Sequence, residues 1–306
     1  MSLVHGAAVI AATAILTAAP PAAAEASSPA ILNGGGHASA AGGPPGGARP
    51  GTVQQHPLGR PRSGGTALPD APAGYPVTGI DVSSHDHGSG KTVDWPGLAA
   101  SGIKFAYVKA TEGTSYTNPY FASDYNSAKG QGIYVGAYAF GRPDLGNPVG
   151  QADHFYDRMQ WTRDGRTLPP FVDMEWPWFS GVNSCYNLTP GQITSWLHAF
   201  LDRLQARTGQ IPMIYTAASW WNPCTASDTS FGKYFLDVAD CRSRPALPAG
   251  WSTWTIWQYN IPDGCSAPRF DEDVLNDKVT SLAALASGEA TPPAAATQGR
   301  RDPTPR

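Results

Sequence analysis

The chain predicts an α/β fold whose mainly parallel sheet closes into a barrel. Three observations carry this. Short apolar runs alternate with helical stretches, an order that builds a parallel sheet with right-handed crossovers. Several of the apolar runs end in polar or acidic residues: Asp81, Lys109, Asp173 with Glu175, and Gln258. In a barrel, strand ends of this kind converge on one mouth. A doubly wound sheet would carry a glycine-rich phosphate turn after its first strand. Here Asp81-Val82-Ser83-Ser84-His85-Asp86 stands in that place.

The elements follow in order. Val77 to Val82 reads as the first strand, and Asp94-Trp95-Pro96 starts a helix that ends at Gly102. Lys104 to Lys109 is the second strand, followed by a helix from Asn118 to Lys129. Gly132 to Phe140 is the third strand, and Pro148 to Trp161 is helical. Pro169 to Trp176 is the fourth strand. Thr189-Pro190-Gly191-Gln192 is a capping box with proline at the first helical position. Ile193, Trp196, Leu197, Phe200, Leu201 and Leu204 then form one apolar stripe, and Gly209 closes the helix. Ile211 to Thr216 is strand five. Beyond it helices thin out: Tyr234 to Val238 and Trp254 to Tyr259 read as strands joined by loops, and a short last segment surrounds Phe270-Asp271.

Composition bounds the rest. With 306 residues, 41% of them apolar, the chain can bury a sizeable core. Only 15% are charged and the net charge is −3, so there is no electrostatic footprint for nucleic acid. Residues 1–24 resemble a secretory leader: an apolar run from Ala7 to Ala19, too short to span a membrane, precedes an A-x-A cleavage site. Residues 25–74 are dominated by Gly, Pro, Ala and Ser and read as a disordered linker; residues 286–306 read as a tail of the same kind. The folded unit is then 75–285, expected to be extracellular and monomeric. Four cysteines (Cys185, Cys224, Cys241, Cys265) in an exported chain imply two disulfides, with three possible pairings.

The most informative stretch is Pro169-Pro170-Phe171-Val172-Asp173-Met174-Glu175-Trp176. Residues i and i+2 of a strand share a side, so Asp173 and Glu175 project together, with Cα atoms roughly 6.5 Å apart. Such a pair is either a catalytic couple or a wet strand end. The 10 Trp and 12 Tyr gather between residues 95 and 259, where flat rings serve either sugar stacking or core packing. Lys109 and Glu112 form an ion pair that is either beside a groove or purely structural. His85, His87, His154 and His198 lie on separate elements without an H-E-x-x-H pattern, so no metal and no cofactor is expected. No G-x-S-x-G elbow is present, which argues against a serine hydrolase.

An ordered set of pieces carries a family resemblance. Gly79-Ile80-Asp81-Val82-Ser83, Lys109-Ala110-Thr111-Glu112-Gly113, Gly136-Ala137-Tyr138-Ala139-Phe140, Asp173-Met174-Glu175, Ile214-Tyr215-Thr216, Trp257-Gln258-Tyr259 and Phe270-Asp271 occur in that order. Across 77–277 the chain resembles glycoside hydrolase family 25, the lysozyme (N-acetylmuramidase) family of actinobacteria, fungi and phages. The resemblance implies an irregular TIM-like barrel of five β/α units followed by three β-strands. It implies cleavage of the β-1,4 bond between N-acetylmuramic acid and N-acetylglucosamine in bacterial peptidoglycan. By position, Glu175 matches the general acid, Asp173 its partner, and Asp81 and Asp271 the two further carboxylates. Lys109, Glu112, Tyr138, Tyr215, Trp257, Gln258 and Tyr259 become candidates for substrate contact. It also implies Cys185 paired with Cys224, leaving Cys241 with Cys265.

Two departures stand out. Ala139 replaces a histidine of the third-strand motif, and Asp237-Val238-Ala239-Asp240-Cys241 replaces a Leu-Trp-Ile-Ala-x-Tyr strand. The chemistry expected of Glu175 is proton donation to the leaving oxygen, with Phe171, Trp176 and Trp178 as neighbours able to desolvate it. Asp173 supports the substrate's own N-acetyl group as nucleophile, or, in the rival inverting route, Asp81 or Asp173 activates a water across the ring. The rival readings are a non-catalytic wall-glycan binder on the same barrel and a chitinase-like glycosidase.

Overall fold

In the computed structural model, which describes residues 71–295 apart from 263, 264 and 267, the apolar runs become strands in the expected order. They are β1 (Thr78–Val82), β2 (Phe105–Glu112), β3 (Tyr116–Thr117), β4 (Tyr134–Phe140), β5 (Phe171–Asp173), β6 (Met213–Thr216), β7 (Phe235–Ala239), β8 (Ile256–Asn260) and β9 (Asp271–Leu275). The helices are α1 (Trp95–Ala100), α2 (Phe121–Gly130), α3 (Pro148–Arg158), α4 (Pro190–Thr208), α5 (Ala218–Cys224) and α6 (Leu282–Ser287). The expected leader and almost all of the expected linker lie outside the described residues, as does the tail beyond Ala295.

Pairing runs β1–β2–β4–β5–β6–β7–β8 in parallel. Strand β9 closes the ring, antiparallel to both β8 and β1. The reversal follows from chain length. A parallel return needs a crossover of about a dozen residues or more, whereas only residues 261–270 separate β8 from β9. One consequence governs the site. Parallel strands bring their last residues to the mouth, but β9 brings its first, so Asp271 lies opposite Asp81.

Alternation along the strands divides the core in two. Phe105, Tyr107, Tyr138, Phe171, Tyr215 and Phe235 belong to the cluster that fills the barrel. Ile80, Val108, Val172, Ile214 and Leu236 pack outward with Tyr125, Phe155, Leu197 and Leu201 of the helices. Helix α4 forms as the sequence dictates. Thr189 Oγ1 accepts from the Gln192 amide, Gln192 Oε1 accepts from the Thr189 amide, and Gly209 takes a left-handed φ of 64°. All six residues of the predicted stripe are buried. Helix α5 was not anticipated. It is seven residues long with Pro223 inside it, too short to show a helical period.

The boundary expected at 285 falls inside α6, and the chain remains placed to Ala295, which bridges to Trp251. Leu282, Leu285 and Ala286 join the barrel-filling cluster, and Gln210 Nε2 donates to the Leu285 carbonyl. An Ala-rich composition resembles linker, but three apolar side chains at helical spacing are enough to seat this turn. The disulfides pair as the resemblance implied, Cys185 with Cys224 (Cα–Cα 5.3 Å) and Cys241 with Cys265 (5.7 Å).

Gly136 makes room for the ring of Tyr107, whose hydroxyl donates to the Pro169 carbonyl at 2.9 Å. A Cβ at Gly136 would lie 2.1 Å from Tyr107 Cε1. Gly136→Ala is therefore expected to destabilise the domain by about 1–3 kcal/mol, the usual cost of overpacking, read as a lower urea midpoint at unchanged slope.

Candidate active site

The site is built on β5. Phe171 faces the barrel interior and Val172 faces the helices, so Asp173 turns inward again. The extended course continues past the strand: Met174 N donates to the Tyr215 carbonyl, and Thr216 Oγ1 donates to the Met174 carbonyl at 2.7 Å. Glu175 is then anchored from the next loop, where the Tyr186 hydroxyl donates to its carbonyl at 2.8 Å. Tyr186 and Asn187 hold left-handed backbone conformations, φ 60° and 58°. Cys185 ties that loop to α5, and Trp220 Nε1 on α5 donates to the Ser184 carbonyl. Strain and a crosslink thus serve to position one acid.

Both acids are withdrawn from solvent, Asp173 at 1% exposure and Glu175 at 3%. The wet strand end is therefore discarded. Burial lifts Glu175 to about 8; the Lys109 charge opposes this and Asp81 adds to it. Burial, then the charge of Glu175, pushes Asp173 well above the usual carboxylate range, with Lys109 again opposing. Asp173 Oδ1 is buried without a hydrogen-bond partner among the described residues. Burial, then Asp81, also raises Asp271. Asp81 accepts from Gln258 Nε2 at 2.7 Å, and Gln258 Oε1 accepts from the Tyr215 hydroxyl at 2.7 Å. All four predicted acids therefore gather at one mouth, with Lys109 as a buried cation beside them.

Lys109 and Glu112 form a buried pair, Nζ to Oε2 3.0 Å. Glu112 also accepts from Arg142 Nη1 at 3.2 Å and Trp178 Nε1 at 3.3 Å. The pair is thus a polar hub beside the acids and holds two further side chains. Tyr138 stacks on Phe171 inside the barrel, ring centroids 4.8 Å apart, and acts as filling beneath the acids. Trp257 and Tyr259 do not reach the mouth. Because Gln258 points inward, its neighbours point outward: Trp257 Nε1 donates to the Asp240 carbonyl and the Tyr259 hydroxyl donates to Glu272. Ala139 likewise sits in the helix-side cluster, so the side chain it lacks would not enter the mouth from this strand position. The histidines are engaged separately, His87 with Asp124, His154 with the Tyr116 carbonyl and His198 with Ser230.

Two inward acids went unrecognised. Asp237 and Asp273 are buried in the barrel, each with an Oδ1 that meets no hydrogen-bond partner among the described residues. Burial raises both; the charge of Asp237 is the next cause at Asp273, and Asp81 the next at Asp237. The signal was available. Asp237 holds the inward place in Phe235-Leu236-Asp237-Val238, two residues after an aromatic that fills the barrel.

A barrel mouth lined by buried carboxyl groups, one of them lifted to about 8, suits acid-assisted hydrolysis of the glycosidase class. The profile described as Glycosyl hydrolases family 25 matches residues 80–263. "Lysozyme M1" of Streptomyces globisporus is 40% identical over 219 residues, 70% of this chain and 72% of that protein. "N,O-diacetylmuramidase" of Chalaropsis sp is 36% identical over 220 residues, 69% of this chain and 100% of that protein. The crystal structure of the bacterial lysozyme from Streptomyces coelicolor superposes with a TM-score of 0.64 at 40% identity, covering 70% of this chain and 98% of that one. The chain belongs to glycoside hydrolase family 25, in its actinobacterial lysozyme branch, and is a glycoside hydrolase.

A carboxyl raised from 4.5 to about 8 binds its proton more tightly folded than unfolded. Its contribution to stability is full below the unfolded value and is lost as pH rises through the folded one. Glu175→Gln removes that liability. At pH 8 the variant is expected to melt at least about 3 °C above wild type, the shift that roughly 1 kcal/mol produces in a domain of this size. Near pH 4.5 the two melting curves should converge, as calorimetry at both pH values will show.

Proposed function

We propose that the chain is a secreted peptidoglycan hydrolase, an N-acetylmuramidase. It cleaves the β-1,4 bond between N-acetylmuramic acid and N-acetylglucosamine. The observation that carries the reading is the buried Glu175 carboxyl, protonated near neutral pH beside Asp173. The names of the relatives, a lysozyme and an N,O-diacetylmuramidase, support the substrate. Two disulfides support secretion, since such bonds persist in oxidising compartments.

Glu175 gives its proton to the glycosidic oxygen as the bond to the anomeric carbon breaks. The acetamido carbonyl oxygen of the same muramic acid attacks that carbon from the other face, and an oxazolinium ring results. Asp173 accepts the amide N–H and balances its positive charge. Its unpartnered Oδ1 supports this part, because a buried acceptor without a donor lowers its energy when a substrate supplies one. Two buried acids so close do not both ionise readily, and Lys109 favours the state with one negative charge. Water then opens the ring, and Glu175, now a carboxylate, takes the water proton. Asp81 adds negative charge at the mouth, and Asp271 lies opposite it.

Cell-wall turbidity assays test the acid. Glu175→Gln is expected to lose roughly 10²–10⁴-fold in rate, the range of general acid catalysis; equal lysis by both proteins would overturn the assignment. Activity needs the protonated form, so the alkaline limb of kcat/KM should fall with an apparent pKa of about 8. Mass spectrometry should find muramic-acid reducing ends, whereas glucosamine ends would move the enzyme to the chitinase-like reading. Proton NMR of the first product should show retention at the anomeric carbon; inversion would replace the acetamido step by a water held by Asp173.

A further inference from the structure

We infer that Trp178 is a preformed stacking platform for a hexosamine ring of the glycan strand, next to the catalytic acids; this rests on the muramidase reading above. Most other tryptophans of the fold are buried, Trp220 and Trp221 completely, and Trp161 and Trp176 are partly covered, but Trp178 is 37% exposed. Leaving an indole in water forfeits burial energy unless something covers it in use. Its place is specific, three residues after Glu175 on the loop that leaves β5.

The ring is held at two places. Its polar edge is bound, Nε1 to Glu112 Oε2 at 3.3 Å. It meets Phe179 in a T-shaped contact, ring centroids 5.6 Å apart at 87°. Phe179 in turn lies against the Arg142 guanidinium, 3.7 Å from its ring centroid. Arg142 is fixed by Asp144 through two contacts and by Glu112 through a third. Every support of the indole is therefore itself anchored, and its orientation is set before a ligand arrives. Preorganisation of this kind lowers the ordering cost of binding.

The ring is also close to the chemistry. The carboxylate that holds its N–H is the one paired with Lys109, and Lys109 acts electrostatically on both Asp173 and Glu175. Two polar contacts thus separate the indole edge from the ammonium beside the acids. A flat apolar face there suits the C–H face of a pyranose. A rim of this design binds sugar without touching the reacting atoms, so it should act on KM and leave kcat alone.

The test uses soluble wall glycan oligomers and three proteins: wild type, Trp178→Ala and Trp178→Phe. Trp178→Ala is expected to raise KM about tenfold on a long oligomer, a loss in the range of one aromatic contact, with kcat within about twofold of wild type. Trp178→Phe keeps a ring but drops the N–H to Glu112, and it should recover most of the affinity. Calorimetric titration of the same oligomer into Glu175→Gln and Glu175→Gln/Trp178→Ala should show the same affinity ratio. An unchanged KM in Trp178→Ala overturns the proposal. So does a fall in kcat with a displaced alkaline limb, which would mean that Trp178 acts through Glu112 and Lys109. Should Trp178→Ala not fold, Trp178→Phe decides: KM near wild type supports the platform, and a tenfold rise refutes it. Failure of the wild type to release muramic-acid ends refutes the muramidase reading alone, since the titrations still measure the ring.

Discussion

The structure depends on one electrostatic constraint: several carboxyl groups are buried around a barrel mouth where Lys109 is the positive charge that bears on both Asp173 and Glu175. Water would solvate these acids far better than the barrel does. The protein answers partly by keeping protons on them. Glu175 rises to about 8, and burial also raises Asp173, Asp237, Asp271 and Asp273. A folded state that prefers protonated acids is least favoured in alkali.

Topology decides which acids share the constraint. Seven strands are parallel and deliver residues from their C-terminal ends; β9 is reversed and delivers its first residue. Without that reversal Asp271 would lie at the far end, away from Asp81. The loop after β5 does comparable work for Glu175. A disulfide, two left-handed residues and the Tyr186 hydroxyl hold a backbone that has already left the sheet. The acid lies beyond the regular strand, and the fold spends a crosslink to keep it there.

Much of this was legible in the residues. The alternation of apolar runs predicted the strand order, and the Thr189–Gln192 capping box predicted α4 with its whole buried stripe. Spacing alone placed Asp173 and Glu175 on one side. Other features were opaque for identifiable reasons. Trp257 and Tyr259 were candidates because aromatic rings suit sugars, but alternation lets only Gln258 face the mouth. Asp237 reads in the sequence as a departure, and its inward register follows only once Phe235, two residues before it, is seen to fill the barrel. Helix α5 and helix α6 were too short for periodicity to report.

Sequence by itself determined the fold class, the family and the four acids, because each rests on local spacing or on short ordered motifs. Tertiary structure decided the surroundings of those acids. Whether a carboxyl is a wet ornament or a proton donor depends on the water removed by residues far away in the chain, and no local pattern records that. It also decided that Lys109 and Glu112 belong to the mouth, and that Glu112 carries Arg142 and Trp178 as well. Those contacts join β2, the turn after β4 and the loop after β5, segments that only the closed barrel brings within hydrogen-bonding reach.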